Sequence, residues 1–154
     1  MGELHFDETL IVKFYEKHNK EEILTTLAEK LYKAGYVNNG FKAAILKREH
    51  EMPTGLFTGH VNVAIPHTET KYVNEDSIII GILDNPVQFF AMDNPTKPID
   101  VHIVIMLALS EPHGHICLLQ KVVNLIQKKD VMMDVIRSDD MNTIFSILKK
   151  HLLS

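Results

Sequence analysis

Residues 101–109, Val-His-Ile-Val-Ile-Met-Leu-Ala-Leu, form an apolar run that only His102 interrupts. A run without polar alternation is typical of a central β-strand that is covered on both faces of its sheet. Shorter strand-like runs lie at residues 61–65 and 77–83, and residues 10–14 can form a first strand. The sequence therefore predicts a β-sheet with the 101–109 strand in its interior.

Two helices are predicted before the central strands. Asn19 and Glu22 have the spacing of a capping box, and the apolar residues after them recur at helical intervals. Asn38 or Asn39 can cap a second helix, which must stop before Pro53 because proline disfavours helical backbone in the residue before it.

Helical patterns also come after the central strand. Pro112 precedes a helix whose apolar positions recur at helical spacing: Ile116, Leu119, Val123 and Ile126. Two further helical stretches lie at residues 131–136 and 142–152. Helices before, between and after strands indicate an α/β fold. We expect a single domain spanning residues 1–154, with a central mixed β-sheet flanked by helices on both faces.

The composition narrows the classes of function. Of 154 residues, 45% are hydrophobic and 23% charged, and the formal net charge is -4. Nucleic-acid binding needs a clustered basic excess, so no nucleic-acid partner is expected. Cys117 is the single cysteine, which excludes an internal disulfide and a multi-cysteine zinc site. Because it lies between Ile116 and Leu118, we expect it to pack as a small apolar side chain.

The sequence shows no sign of export, membrane insertion or cofactor binding. Residues 1–17 lack the basic start, apolar stretch and cleavage site of a secretory signal. The longest apolar run, residues 103–109, is far shorter than the roughly 20 residues of a membrane helix. No nucleotide-binding loop, H-E-x-x-H or G-x-S-x-G pattern is present. We therefore expect a cytoplasmic protein that is not membrane-inserted and has no cofactor or metal.

The first candidate for chemistry is His67, at the end of the strand-like sequence Asn-Val-Ala-Ile-Pro-His-Thr of residues 62–68. Pro66 fixes its own φ and keeps Ile65 extended, so the imidazole is presented at a strand end on a stiff backbone. Ligands bind α/β sheets at such ends. A neutral imidazole with one free nitrogen is a suitable phosphoryl acceptor, although a histidine after proline is often only a turn residue.

A second group lies at residues 110–115, Ser-Glu-Pro-His-Gly-His, between the central strand and a helix. The N-terminus of a helix favours anions, so His115 can donate to a phosphoryl group there. His113 is close enough in sequence to take the same place. Arg48 can add positive charge if the second helix ends near the same pocket, and otherwise it is a solvated charge at a helix end.

Three motifs together resemble a known family. Arg48-Glu49, then Pro53-Thr54-Gly55, then Ala64-Ile65-Pro66-His67 resembles the fructose/mannitol-type (type 2) EIIA domain of the bacterial phosphoenolpyruvate-dependent sugar phosphotransferase system (PTS). The stretch from His115 to Leu119 is similar to the start of a helix in that family. The resemblance covers the chain from about Ile23 onward, and its details are most like the galactitol-specific branch.

The resemblance implies a function and its partners. His67 would accept a phosphoryl group from the histidine phosphocarrier protein HPr and pass it to a cysteine of a IIB component, with the membrane IIC component as an indirect partner. His115 would correspond to a second histidine that contacts the phosphoryl group, and Arg48 to an arginine near the pocket. The chain would then be a protein-to-protein phosphotransferase that works through a phosphohistidine, in the uptake of a sugar such as galactitol.

Two alternatives remain open from the sequence. The same fold can act as a regulatory module that signals the nitrogen or carbon state by its phosphorylation. A metal-dependent hydrolase would use His67, His113, His115 and Glu111, but no closely spaced carboxylate-rich set of ligands accompanies them.

Overall fold

The computed structural model describes residues 3–111 and 116–153, and these contain one five-stranded sheet. Its strands lie in the order β1-β4-β5-β3-β2. Their bounds are β1 (Ile11–Phe14), β2 (Gly55–Leu56), β3 (Val63–Ala64), β4 (Ser77–Phe90) and β5 (Pro98–Ala108). β1 runs parallel to β4 and β3 to β5, whereas the β4–β5 and β2–β3 pairs are antiparallel. The prediction of a mixed sheet is confirmed.

Two groups of helices cover this sheet. Their bounds are α1 (Lys20–Lys33), α2 (Phe41–Glu51), α3 (Ile116–Ile126), α4 (Lys129–Arg137) and α5 (Met141–Leu153). α1 packs against α2 and β4, while α3, α4 and α5 pack against one another and α4 also contacts β4. Ser77 to Leu83 of β4 are all buried, without alternation, so helices lie on both faces of the sheet. The predicted α/β class is therefore confirmed.

The helix starts depend on local side-chain chemistry. The Asn19 side chain accepts from the Glu22 N–H over 2.8 Å, and the Glu22 carboxylate accepts from the Asn19 N–H over 2.9 Å, which confirms the predicted capping box. At the second helix the predicted cap was wrong. Gly40 occupies the cap position of α2, because the Asn38 side chain is already used in a turn, where it accepts from the Gly40 N–H.

The strands differ from the prediction in length. β3 is only two residues long, and the equally short β2 was not predicted at all, because two residues give no periodicity to detect. β4 continues to Phe90 past a register shift between Ile82 and Val87, although the intervening Asp-Asn-Pro sequence is typical of a turn. Cys117 is exposed, so the expectation that it packs inside was wrong.

Gly55 in β2 is closely surrounded. A Cβ atom there would lie 2.6 Å from both the Phe90 carbonyl oxygen and the Ile99 Cδ1 atom. We therefore expect Gly55→Ala to push β2 away from its neighbours and to lower the free energy of unfolding by about 1–3 kcal/mol. Urea denaturation measures this loss directly.

Gly35→Ala is the matched control for that measurement. A Cβ atom at Gly35 would meet no atom within 4 Å, but the backbone has φ +85°, which favours glycine. The control should therefore lose only about 1 kcal/mol. A Gly55→Ala protein as stable as the wild type would contradict the close packing of β2.

Candidate functional site

His67 comes shortly after β3, on a backbone that is anchored on both sides. The Ile65 N–H donates to the Thr54 carbonyl over 3.3 Å, just before β2. The Leu107 N–H in β5 donates to the Pro66 carbonyl over 3.0 Å. Pro66 itself is buried and has its φ fixed by its ring. The backbone that carries the imidazole is therefore held in place from two directions.

The orientation of the His67 imidazole is set by its own chain. Its Nδ1 lies 2.9 Å from the carbonyl oxygen of Ile65. A carbonyl oxygen can only accept, so Nδ1 must carry the proton in this contact. In the neutral imidazole, Nε2 then keeps its lone pair and is the nucleophilic atom. The half-buried side chain thus has the tautomer that a nucleophile requires.

His67 lines a cleft of about 410 Å³ between the sheet and α3. Most of the wall is apolar, with Leu56, Ile65, Leu107 and Leu109 from the sheet side and Leu119, Val122, Val123 and Ile126 from α3. The polar lining consists of His67, Thr68, Thr70 and Glu111. A cleft with mostly apolar walls would exclude water from the reactive nitrogen once another molecule covers it.

The helix α3 presents an unusual apolar surface at the cleft. Ile116, Leu119 and Val123 are 53%, 38% and 46% exposed. The face of α3 that packs inside is a different one, formed by Leu118, Val122, Leu125 and Ile126. The sequence periodicity therefore predicted the helix correctly, but three of its four marked positions are exposed. We call Ile116, Leu119 and Val123 the α3 stripe.

Glu49 is a buried residue close to the histidine and is only 2% exposed. Its two carboxylate oxygens accept from the backbone N–H and from the hydroxyl of Thr54, each over 2.8 Å. Burial raises the pKa of Glu49, whereas the hydrogen bonds from Thr54 and the positive charges of Lys20 and protonated His67 act in the opposite direction.

Glu49 was not among the residues that the sequence marked as functional. A signal was present, however, because Phe41, Ile45 and Glu49 succeed one another at intervals of four residues and share the inward face of α2. A glutamate on a buried helix face requires partners, and this requirement marks the position.

Comparison with known proteins supplies the assignment. The family described as "Phosphoenolpyruvate-dependent sugar phosphotransferase system, EIIA 2" matches residues 4–151. The chain belongs to this family. The galactitol-specific EIIA component of Escherichia coli K12 is 27% identical over 114 residues, which cover 74% of this EIIA protein and 75% of the relative.

Solved structures share the EIIA fold. In the complex of enzyme IIAMTL and phosphorylated enzyme IIBMTL from E. coli, the matching chain is 20% identical to this EIIA protein, with a TM-score of 0.77 and coverage of 96% and 99% of the two chains. The nitrogen regulatory protein IIA-Ntr from Neisseria meningitidis is 21% identical, with a TM-score of 0.73 and coverage of 94% and 95%. At these identities the likeness concerns the fold alone.

Arg48 lies beside the cleft of this EIIA protein. It lines a smaller cavity of about 180 Å³ together with Thr68 and Glu69, the two residues after His67. Thr68 lines both cavities, so Arg48 and His67 are on neighbouring surfaces and not in one wall. The Arg48 Nε atom is buried and finds no hydrogen-bond acceptor among residues 3–111 and 116–153. The guanidinium therefore lines a surface next to that of His67 and keeps one unpaired N–H among the described residues.

The predicted group at residues 110–115 is described only up to residue 111. His113 and His115 lie outside the described residues, so the prediction for His115 stays a prediction. On one side of the gap, Ser110 is fixed because its N–H donates to the Asp76 carboxylate over 2.6 Å, and Glu111 lines the cleft.

The described part of the chain has neither a metal-binding cluster nor a membrane-spanning helix. Among its histidine, cysteine and acidic residues, no three lie together in a group that could hold a metal ion. None of the helices formed by these same residues combines the length and the apolar character that crossing a membrane requires.

Proposed function

We propose that this EIIA protein carries a phosphoryl group on Nε2 of His67, accepting it from HPr and passing it to a cysteine of a IIB component. The observation that carries this proposal is the hydrogen bond from the His67 Nδ1–H to the Ile65 carbonyl, which leaves Nε2 as the only ring nitrogen with a lone pair. The similarity to a galactitol-specific EIIA component supports galactitol as the transported sugar.

The transfer needs no reactant other than this protein and its two partner proteins. The Nε2 lone pair of His67 attacks phosphorus, the bond between phosphorus and the donor histidine nitrogen breaks, and that nitrogen keeps the electron pair. The imidazole then becomes positively charged, and the Ile65 carbonyl stabilises the proton that Nδ1 retains. In the second step a IIB thiolate attacks phosphorus, and the phosphorus bond to Nε2 breaks.

Positive charge around the phosphoryl group would come from two further side chains. Arg48 is placed beside the cleft with an unpaired N–H, and a guanidinium can bridge two phosphoryl oxygens. His115 immediately precedes α3, and a histidine at a helix N-terminus can donate to a bound phosphoryl oxygen. We assign both residues to stabilisation of the transition state.

The docking surface for HPr would be the α3 stripe. A phosphohistidine on another protein reaches His67 only if that protein covers the cleft, and the stripe supplies exposed apolar area at its rim. Protein interfaces have apolar centres of this kind with a polar margin. The IIB component would use the same surface in turn, because both partners must bring a reactive atom to the same nitrogen.

The direct test uses purified components. The chain is incubated with phosphoenolpyruvate, the first enzyme of the system and HPr. The phosphoryl label incorporated into the chain is expected to be labile in acid and stable in alkali. Phosphorus NMR is expected to place it on Nε2. An acid-stable label, or a label on Nδ1, would contradict the proposed chemistry.

A regulatory role is the second candidate, because a nitrogen regulatory IIA protein has the same fold and this fold is therefore compatible with either role. Both roles use the same phosphohistidine and differ in the fate of its phosphoryl group. If the phosphoryl group moves to a IIB component, the protein serves transport in the cytoplasm, with the membrane IIC component further along the path. If it stays on His67 in the presence of IIB proteins, the regulatory role is supported.

Arg48 provides a quantitative prediction. We expect Arg48→Ala to slow phosphoryl acceptance about 10-fold, because one charge-assisted contact to the phosphoryl group is lost. Arg48→Lys should recover only part of the rate, since an ammonium lacks the fixed fork of a guanidinium. Time courses of labelling by phosphorylated HPr measure both effects.

The control for this comparison is Lys42→Ala, which removes a positive charge from the exposed side of the same helix. It should accept phosphate at the wild-type rate. Equal rates of phosphoryl acceptance for Arg48→Ala and Lys42→Ala would show that Arg48 is only a solvated charge and does not contribute to the transfer.

A further inference from the structure

A continuous path of hydrogen bonds joins Glu49 to His67. The Glu49 carboxylate accepts from the N–H and the hydroxyl of Thr54, each over 2.8 Å. The Thr54 carbonyl accepts from the Ile65 N–H over 3.3 Å, and the Ile65 carbonyl accepts from the His67 Nδ1–H over 2.9 Å. The position of one buried carboxylate is therefore linked to the position of the carbonyl that selects the histidine tautomer.

Packing alone does not require a carboxylate at this place. Glu49 shares the inward face of α2 with Phe41 and Ile45, and an apolar side chain would fill that space without the cost of burying a charge. What the carboxylate adds is a pair of strong acceptors for Thr54, which is also only 2% exposed. Its contribution is to hold the segment between α2 and β2 in one arrangement.

The tautomer of His67 depends on that arrangement. If Thr54 shifts, the Ile65 N–H loses its acceptor and the Ile65 carbonyl can move away from Nδ1. The proton is then no longer confined to Nδ1, and in part of the molecules it lies on Nε2. A proton on Nε2 occupies the lone pair that attacks phosphorus, so those molecules cannot react.

We propose that Glu49 is a positioning residue for phosphoryl transfer: acting through Thr54 and Ile65, it keeps His67 in the Nδ1–H tautomer with the Nε2 lone pair available. This inference rests on the proposed function, in which His67 is the phosphoryl acceptor. Glu49 does not touch the phosphoryl group. It acts through the place of the two polar atoms that hydrogen-bond Thr54 and not through its charge.

Two substitutions separate position from charge. Glu49→Gln keeps the length of the side chain: its oxygen can accept from the Thr54 N–H, and its amide can donate to the Thr54 hydroxyl, but the charge is gone. Glu49→Asp keeps the charge but draws the carboxylate back by about 1.5 Å, one carbon–carbon bond. Glu21→Gln and Glu21→Asp, on the exposed side of α1, are the matched controls.

We expect Glu49→Gln to accept phosphate from HPr within about 3-fold of the wild-type rate and Glu49→Asp to be slower by about 10-fold or more. The nitrogen NMR spectrum of the unphosphorylated proteins is the second readout. Wild type and Glu49→Gln should show a protonated Nδ1 and an unprotonated Nε2, whereas Glu49→Asp should show exchange between the two tautomers. If Glu49→Asp does not fold, Thr54→Val takes its place and should show the same change of spectrum.

The reverse order of rates, with Glu49→Gln slow and Glu49→Asp near wild type, would overturn the inference in favour of a charge effect. Slow transfer in Glu49→Asp with an unchanged His67 spectrum would overturn it in favour of a general loss of structure. Wild-type behaviour of both variants would also overturn it. The spectra do not depend on phosphorylation, so a failure of the wild type to accept phosphate contradicts the proposed function separately.

Discussion

Replacing His67 with alanine is expected to abolish phosphorylation of this EIIA protein by phosphoenolpyruvate, the first enzyme and HPr. The loss should be at least about 1,000-fold, down to background, because no other nucleophile takes over the attack on phosphorus when the acceptor itself is removed. The measurement is the incorporation of acid-labile phosphate over time. Removal of a half-buried ring next to an open cleft leaves the sheet intact, so circular dichroism should match the wild type.

Thr68→Ala and Thr70→Ala are control variants for this substitution. Both residues line the cleft, and their hydroxyls are alternative phosphoryl acceptors there. A phosphothreonine is stable in acid, unlike a phosphohistidine, so the two chemistries separate on acid treatment. A label that survives in the His67→Ala protein, or one that is lost only on Thr68→Ala or Thr70→Ala, would remove His67 from the mechanism.

The second large effect is expected at the docking surface. The double substitution Leu119→Asp with Val123→Asp removes apolar area from the α3 stripe and places two negative charges where an anionic phosphoryl group must enter. We expect kcat/KM for acceptance from HPr to fall about 100-fold, which corresponds to roughly 3 kcal/mol. The loss should lie mainly in KM, because Nε2 of His67 is unchanged.

Tyr32→Asp is the control, since Tyr32 is 52% exposed on α1 and the substitution introduces a negative charge away from the cleft. It should transfer phosphate at the wild-type rate. If the double variant shows an unchanged KM, the partner does not cover α3, and the apolar stripe has another role.

Most of the fold could be predicted from the sequence, because its main strands and helices contain apolar segments that are buried in the core. The 101–109 run became β5, and the Asn19–Glu22 pair placed the start of α1, since both signals are local. The far half of β4 was not readable. Beyond the register shift at Ile82 its burial alternates and its residues include Asn85 and Pro86, so the pairing with β5 outweighs a local preference for a turn.

The site was only partly predictable for a different reason. The Pro66-His67 sequence predicted a histidine on a stiff backbone after a strand, which the structure shows. The resemblance added the prediction that this histidine accepts a phosphoryl group. The tautomer was not readable, because it depends on a carbonyl that hydrogen bonds through Thr54 connect to Glu49. The place of Arg48 beside the cleft, and not within its wall, depends likewise on how α2 meets the turn after His67.

The order of the strands also shapes the route by which the chain folds. β4 and β5 are joined by a short connection, so their antiparallel pairing closes a small loop. The parallel pairs are remote in sequence, with Ile11 opposite Ile80 and Val63 opposite Ile103. Because closing long loops costs more entropy and slows folding, the β4–β5 hairpin is expected to form early and β1 and β3 to join it later. β3 ends three residues before His67, so the proposed ability to accept a phosphoryl group would arise only as the sheet is completed. Incompletely folded chains would then accept no phosphoryl groups from HPr.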